Sequence, residues 1–121
     1  MSKILIAEDD KFLSNAYRVK FTKEGFEVVM AGNGDEVLEK LKTFAPDLII
    51  LDLVMPNKDG FETLKSIKAD IRLKDIPVII ASNLGQKDDI DLGLKLGAKD
   101  YIVKTDLSLS ALITKIKSYI G

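Results

Sequence analysis

Leu48-Ile49-Ile50-Leu51-Asp52 is an aliphatic run without polar interruption that stops on a lone carboxylate. Strands that are apolar at every position are buried on both faces, as in a parallel sheet sandwiched between helices. Four further stretches are short, aliphatic and bounded by Gly, Pro, Asn or Asp: Lys3 to Ala7, Glu27 to Ala31, Val78 to Ser82 and Asp100 to Val103. Between them the period changes. Leu13, Ala16, Tyr17, Lys20 and Phe21 recur at helical spacing, as do Val37, Leu38, Leu41 and Phe44, and then Phe61, Leu64, Ile67 and Lys68. The last segment puts Leu109, Leu112, Ile113, Ile116 and Ile120 on one stripe, with Ser108 placed to cap its start. Strict alternation of this kind predicts an α/β fold, a doubly wound parallel sheet of five strands with right-handed crossovers and five flanking helices.

Length and composition bound the chemistry. A chain of 121 residues that is 46% hydrophobic builds one core, so residues 1–121 are expected to be a single domain. Eighteen basic against 19 acidic side chains give a net charge of -1, and without a basic excess direct nucleic-acid binding is not expected. With no cysteine there is neither a disulfide framework nor a thiolate nucleophile, and with no histidine there is no imidazole base and no phosphohistidine carrier in the chain itself. No apolar run approaches the roughly 18 residues of a membrane span, and Met1-Ser2-Lys3 does not open a signal peptide, so the expectation is a cytoplasmic protein without membrane insertion.

In open α/β sheets, chemistry sits beyond the carboxyl ends of the strands. Three strands here end on charge: Glu8-Asp9-Asp10 follows the first, Asp52 the third and Lys104 the fifth. Each has an ordinary reading. Asp52 alone is a turn former, Asp10 caps the next helix, Lys104 is a surface lysine, and Ser82, ending the fourth strand, satisfies a local backbone group. Gathered together, the carboxylates would repel unless a cation sat among them. A hard divalent ion that keeps waters and takes one or two carboxylates plus phosphate oxygens fits best, which points to Mg2+ at Asp9, Asp52 and a loop carbonyl. Asp52 as nucleophile, a metal and Lys104 as neutralising charges and Ser82 as a hydroxyl for a phosphoryl oxygen make a set suited to phosphoryl transfer through an aspartyl-phosphate.

The order of motifs then carries a resemblance. Ile4-Leu5-Ile6-Ala7-Glu8-Asp9-Asp10, Leu51-Asp52-Leu53-Val54-Met55-Pro56-Asn57-Lys58-Asp59-Gly60, Pro77-Val78-Ile79-Ile80-Ala81-Ser82 and Gly97-Ala98-Lys99-Asp100-Tyr101-Ile102-Val103-Lys104 together resemble the receiver domains of two-component response regulators, close to the stand-alone chemotaxis type, over essentially the whole chain. The resemblance implies a flavodoxin-like sheet of order 2-1-3-4-5 and Asp52 as phosphoacceptor. It places Glu8, Asp9, Asp52 and the Val54 backbone carbonyl around Mg2+, makes Ser82 the switch hydroxyl and Lys104 the cation, and gives Tyr101 a rotamer that follows Ser82. It implies a phosphohistidine donor on a histidine kinase or histidine phosphotransfer protein. Output passes by protein contact, to a target or a second copy, through a face of Ile90, Leu94 and Tyr101. No effector domain is expected after Gly121, and the sequence leaves open a stand-alone regulator or a module cut from a longer protein.

Three features are set against the family pattern. Thr105 stands where a proline in a cis peptide is usual; a cis bond to a non-proline costs about 2.5–4 kcal/mol, so a trans, rearranged turn is expected. Asn83 replaces a very small residue after Ser82. Val54 and Leu84, two places beyond Asp52 and Ser82, are apolar and cannot orient an attacking water, which predicts a long-lived phospho-form. Val54 also counts against the rival reading as a Mg2+-dependent phosphohydrolase, which needs a second acid there. A nucleotide or flavin binder lacks its Gly-rich loop after the first strand, and a phosphorylation-independent binding module is the reading left if the site proves inert. In Asp89 to Gly97 the pairs Ile90/Leu94 and Leu92/Leu96 fall on opposite helix faces, so one pair is expected to face the sheet, and Gly93 and Gly97 are each expected to weaken the helix by ~1 kcal/mol.

Overall fold

The computed structural model describes residues 2–120. Its elements alternate along the chain: β1 (Lys3–Ala7), α1 (Lys11–Lys23), β2 (Glu27–Ala31), α2 (Gly34–Lys40), β3 (Leu48–Leu51), α3 (Gly60–Ala69), β4 (Val78–Ser82), α4 (Lys87–Lys95), β5 (Asp100–Val103), a 3-10 turn (Lys104–Asp106) and α5 (Leu109–Ile120). The strands form one parallel sheet in the order β2-β1-β3-β4-β5, with right-handed crossovers expected for such units. All five strands have the bounds read from the sequence.

Period two sorts the side chains of the sheet into two cores. Ile4, Ile6, Leu48, Ile50, Ile79, Ala81 and Ile102 pack with Tyr17 and Phe21 of α1 and with Leu112, Ile113 and Ile116 of α5. Leu5, Ile49, Leu51, Val78 and Ile80 face the other way, onto Val37 of α2 and Leu64 and Ile67 of α3. β3 is buried at all four positions, as its composition requires.

Helix ends follow local chemistry. Asp10, Asn33 and Asp59 cap α1, α2 and α3 through side-chain oxygens that accept from the amides of Leu13, Glu36 and Glu62 at 3.0, 2.9 and 2.9 Å. The Ser108 hydroxyl oxygen accepts from the Ala111 amide at 3.1 Å. α1 closes on Gly25 at φ 95°, with the Phe26 amide donating to the Phe21 carbonyl and the Gly25 amide to that of Thr22. The Phe21 and Phe26 rings meet across this Schellman turn at 5.7 Å. α2 is shorter than its apolar pattern. Its helix ends at Lys40, so Leu41 is the cap and Phe44 lies in the turns leading to Pro46, still packed on the core.

α4 corrects two expectations. Gly97 lies outside the helix, at φ 109°, where its amide donates to Leu94 and that of Ala98 to Gly93; it is the Schellman terminator, a place that favours glycine. Nor does either leucine-type pair face the sheet. Gly93 does: a Cβ there would lie 2.6 Å from Ile80 Cδ1 and 3.1 Å from the Tyr101 ring. At 100° per residue Ile90/Leu94 and Leu92/Leu96 flank that contact, leaving Leu92 and Leu94 exposed and Ile90 and Leu96 half-buried.

Candidate functional site

Register delivers the charged groups to one edge. Ala7 pairs with Leu51, and Ser82 with Val103, so Glu8, Asp52 and Lys104 leave adjacent parts of the sheet at the same level. The first step out is pinned: the Glu8 amide donates to the Ala31 carbonyl at 2.9 Å and the Asp52 amide to that of Ala7 at 3.2 Å. Glu8, Asp9 and Asp52 each offer a carboxylate oxygen, all within 4.8 Å of one another. Glu8 and Asp52 are buried and Asp9 is exposed, so two acids form the floor of the cluster and one its rim.

Lys104 lies among them. Its ammonium donates to Glu8 Oε1 and, at 3.1 Å, to Asp52 Oδ2. The Lys104-Thr105 peptide is trans, as is every peptide bond among the described residues, and the turn after it is a short 3-10 helix. Loss of the family's proline therefore leaves the lysine within reach of the acids. Asp52 Oδ1 accepts from the Leu53 amide at 2.7 Å, so both of its oxygens are held and the carboxylate has a fixed orientation. Burial pushes the Glu8 carboxyl above its ordinary value in spite of the lysine. For Lys104 burial pulls the other way, but the bond to Glu8 and the Asp52 charge outweigh it and hold its pKa above the ordinary lysine value.

Ser82 is fully buried and its Oγ accepts from the Leu84 amide at 3.2 Å; as a hydroxyl it also carries one proton to donate. Tyr101 is half-buried; its hydroxyl donates to the Leu84 carbonyl, tying β5 to the loop after Ser82. Glu8, Asp9, Asp10, Asp52, Val54, Ser82, Asn83 and Lys104 share the walls of a cleft of about 370 Å3. Asn83 is on its exposed side, and Val54 is 60% exposed at its mouth. Ile90, Leu94 and Tyr101 are not part of this cleft; they lie on α4 and β5.

Two glycines set the loop that carries Val54. A Cβ on Gly60 would fall 2.2 Å from the Asp52 carbonyl oxygen, and one on Gly34 would fall 2.0 Å from Thr63 Oγ1 and 2.5 Å from the Lys58 carbonyl oxygen. The Gly60 amide donates to Leu53 at 2.9 Å and the Gly34 amide to Lys58 at 3.0 Å, so the loop is laced to the starts of α3 and α2. Asp59-Gly60 at a helix start signals the first approach in the sequence. The second joins residues 24 positions apart and has no local signal.

Acids at two strand ends, a lysine from a third and a hydroxyl from a fourth, at the carboxyl edge of a 2-1-3-4-5 sheet, define the class to which the comparisons point. The chain belongs to the response regulator receiver domain family, whose model matches residues 4–117. It is 40% identical to Response regulator RR06 of Streptococcus pneumoniae over 117 residues, 97% of this chain and 52% of that protein. It is 38% identical to the transcriptional regulatory protein CpxR of Escherichia coli over 104 residues, 86% of this chain and 43% of that one. The chain thus spans about half the length of the curated relatives it matches. Among solved structures, a Francisella response regulator receiver domain superposes with a TM-score of 0.88 at 33% identity, covering 97% of this chain and 94% of its own. The chemotaxis protein CheY4 of Vibrio cholerae superposes with a TM-score of 0.90 at 25% identity, covering 98% of each. No helix among the described residues is long and apolar enough to cross a membrane.

Proposed function

We propose that this chain is a phosphoacceptor, a single receiver domain that takes a phosphoryl group from a phosphohistidine partner onto Asp52 and alters a protein-binding face in response. The observation that carries the reading is the fixed Asp52 carboxylate, with Leu53 N–H on one oxygen and the Lys104 ammonium on the other. In the transfer, a new bond forms between an Asp52 oxygen and phosphorus while the phosphorus–nitrogen bond of the donor breaks and imidazole keeps the electron pair. Lys104 offsets charge on the phosphoryl oxygens, and the Ser82 hydroxyl has a proton to donate to one of them.

The donor set suits Mg2+: three carboxylates offering hard oxygen ligands close together, with only one lysine to neutralise them. Glu8, Asp9, Asp52 and the Val54 carbonyl are the groups that would hold it, Asp9 being the exposed acid that Lys104 does not engage. Bound there, the ion would supply positive charge for the phosphoryl oxygens. Ser82 and Tyr101 are joined through Leu84, so movement of Ser82 toward a phosphoryl group pulls on the atoms that anchor Tyr101 beside Gly93 of α4. The Ile90, Leu94 and Tyr101 face then serves as the output surface, toward a protein target or a second copy of the chain.

The test is intact mass after incubation with acetyl phosphate and Mg2+, for the parent and for Asp52→Asn. A gain of about 80 Da on the parent alone, absent without Mg2+, is expected; no gain, or an equal gain on Asp52→Asn, overturns the reading. Followed over time, the adduct should persist well beyond seconds. Val54 lines the cleft with an apolar side chain and Leu84 packs on the core, so neither places a group that orients water.

A further inference from the structure

A second cavity, of about 280 Å3, lies behind the acidic cleft between α1, α5 and the turn that joins β5 to α5. Ala81 and Ile102 of the sheet line it with the apolar Leu13, Leu107 and Leu112, and Asn83, Lys104, Thr105 and Ser108 add polar groups at the end nearest the acidic cleft and the turn. Tyr17 of α1 also lines it. That side chain is only 7% exposed, yet its hydroxyl is hydrogen-bonded to none of the described residues. No sealed side-chain oxygen or nitrogen among them lacks a partner, so the hydroxyl is open to solvent, and this cavity is the one that Tyr17 is seen to line. A nearly buried hydroxyl beside apolar side chains and without a partner is a polar handle for a guest.

We propose that this cavity binds a small neutral molecule, of one or two rings, that carries a hydroxyl or carbonyl for Tyr17, and that its occupancy is coupled to the phosphorylation site through Lys104. Size sets the first part: an apolar cavity of about 150 Å3 holds benzene, so this one has room for more than a single ring. Charge sets the second. Lys104 is the one charged residue in the lining, and its ammonium is already engaged by Glu8 and Asp52, so nothing there favours an anion. Lys104 and Asn83 line both the cavity and the acidic cleft, which makes the wall between them the coupling element.

The coupling rests on Asp52 as phosphoacceptor, whereas binding is read on the unphosphorylated chain, so the two can fail separately. 4-Methylphenol and toluene are titrated into 15N-labelled protein. Saturable shifts confined to amides around Ala16, Leu107 and Leu109 are expected with 4-methylphenol. Tyr17→Phe should weaken it by between about twofold and tenfold while leaving toluene unchanged. Ala16→Leu, which fills the cavity from a half-buried helical position, should abolish both provided its thermal unfolding stays cooperative. No saturable shift, or a shift equal in all three proteins, overturns the site. At saturating 4-methylphenol the rate of labelling by acetyl phosphate should change at least twofold; an unchanged rate overturns the coupling.

Discussion

Lys104 donates to two buried carboxylates from different strands, and its removal separates two roles that otherwise overlap. In Lys104→Ala without divalent metal, Glu8 and Asp52 remain buried with no cation between them, which should lower unfolding stability by about 2 kcal/mol or more. The same change removes a competitor for those oxygens, so Mg2+ should bind the variant more tightly, and stabilise it more, than the parent. Calorimetric titration and urea unfolding with and without Mg2+ check both; weaker Mg2+ binding in the variant contradicts the competition. Asp100 provides a separate test at the other end of β5. Burial pushes its carboxyl up, but the Tyr119 hydroxyl, the Tyr101 amide and the Lys115 ammonium outweigh that and hold it below the ordinary range. A depressed carboxylate stabilises the fold above its unfolded pKa and ceases to do so as pH falls through the folded one. Asp100→Asn should therefore cost about 1 kcal/mol at pH 7, with the exposed Lys115 adding little. The two unfolding curves should converge in acid below the ordinary aspartate range, and a constant gap down to pH 3 would refute the assignment.

At the level of elements, α4 shows what the sequence carries and what it omits. Apolar period and Gly/Pro punctuation gave every strand its bounds, most plainly β3 and β4, where burial at every position leaves an unbroken run without charge. The orientation of α4 was not legible from its leucines, since what faces the sheet is the absence of a side chain at Gly93, and a hydropathy pattern has no mark for a close approach. Gly97, expected from the sequence to weaken the helix, is instead its terminator, a role that only its positive φ reveals. A glycine-to-alanine change inside a helix ordinarily adds ~1 kcal/mol. At Gly93 the new Cβ meets Ile80 Cδ1 and the Tyr101 ring, so Gly93→Ala should instead lose about 1–2 kcal/mol in urea unfolding. The near-UV signal should change with it, as Tyr101 is displaced. A gain in stability would mean that α4 lifts freely from β4 and β5.

Taken as a whole, the molecule brings acids from the ends of β1 and β3 to one edge only when the sheet is formed. The sequence announced the three charged strand ends, because each follows an apolar run directly; it did not announce the cavity behind them, whose walls come from residues 13 to 112. The same assembly makes metal binding a probe of folding. An unfolded chain holds Glu8-Asp9 and Asp52 more than 40 positions apart and offers no shared site, so an ion bound at the cluster stabilises the native state by mass action. At a Mg2+ concentration tenfold above its Kd the gain is about 1.4 kcal/mol, which for a chain of this size raises Tm by about 5 °C. Asp9→Asn removes the exposed acid and should leave most of that shift missing, while Asp91→Asn, a change to another exposed acid, on α4, should leave it intact. Scanning calorimetry with Mg2+ and with EDTA decides the matter: an undiminished shift in Asp9→Asn places the ion somewhere other than the edge where β1 and β3 meet.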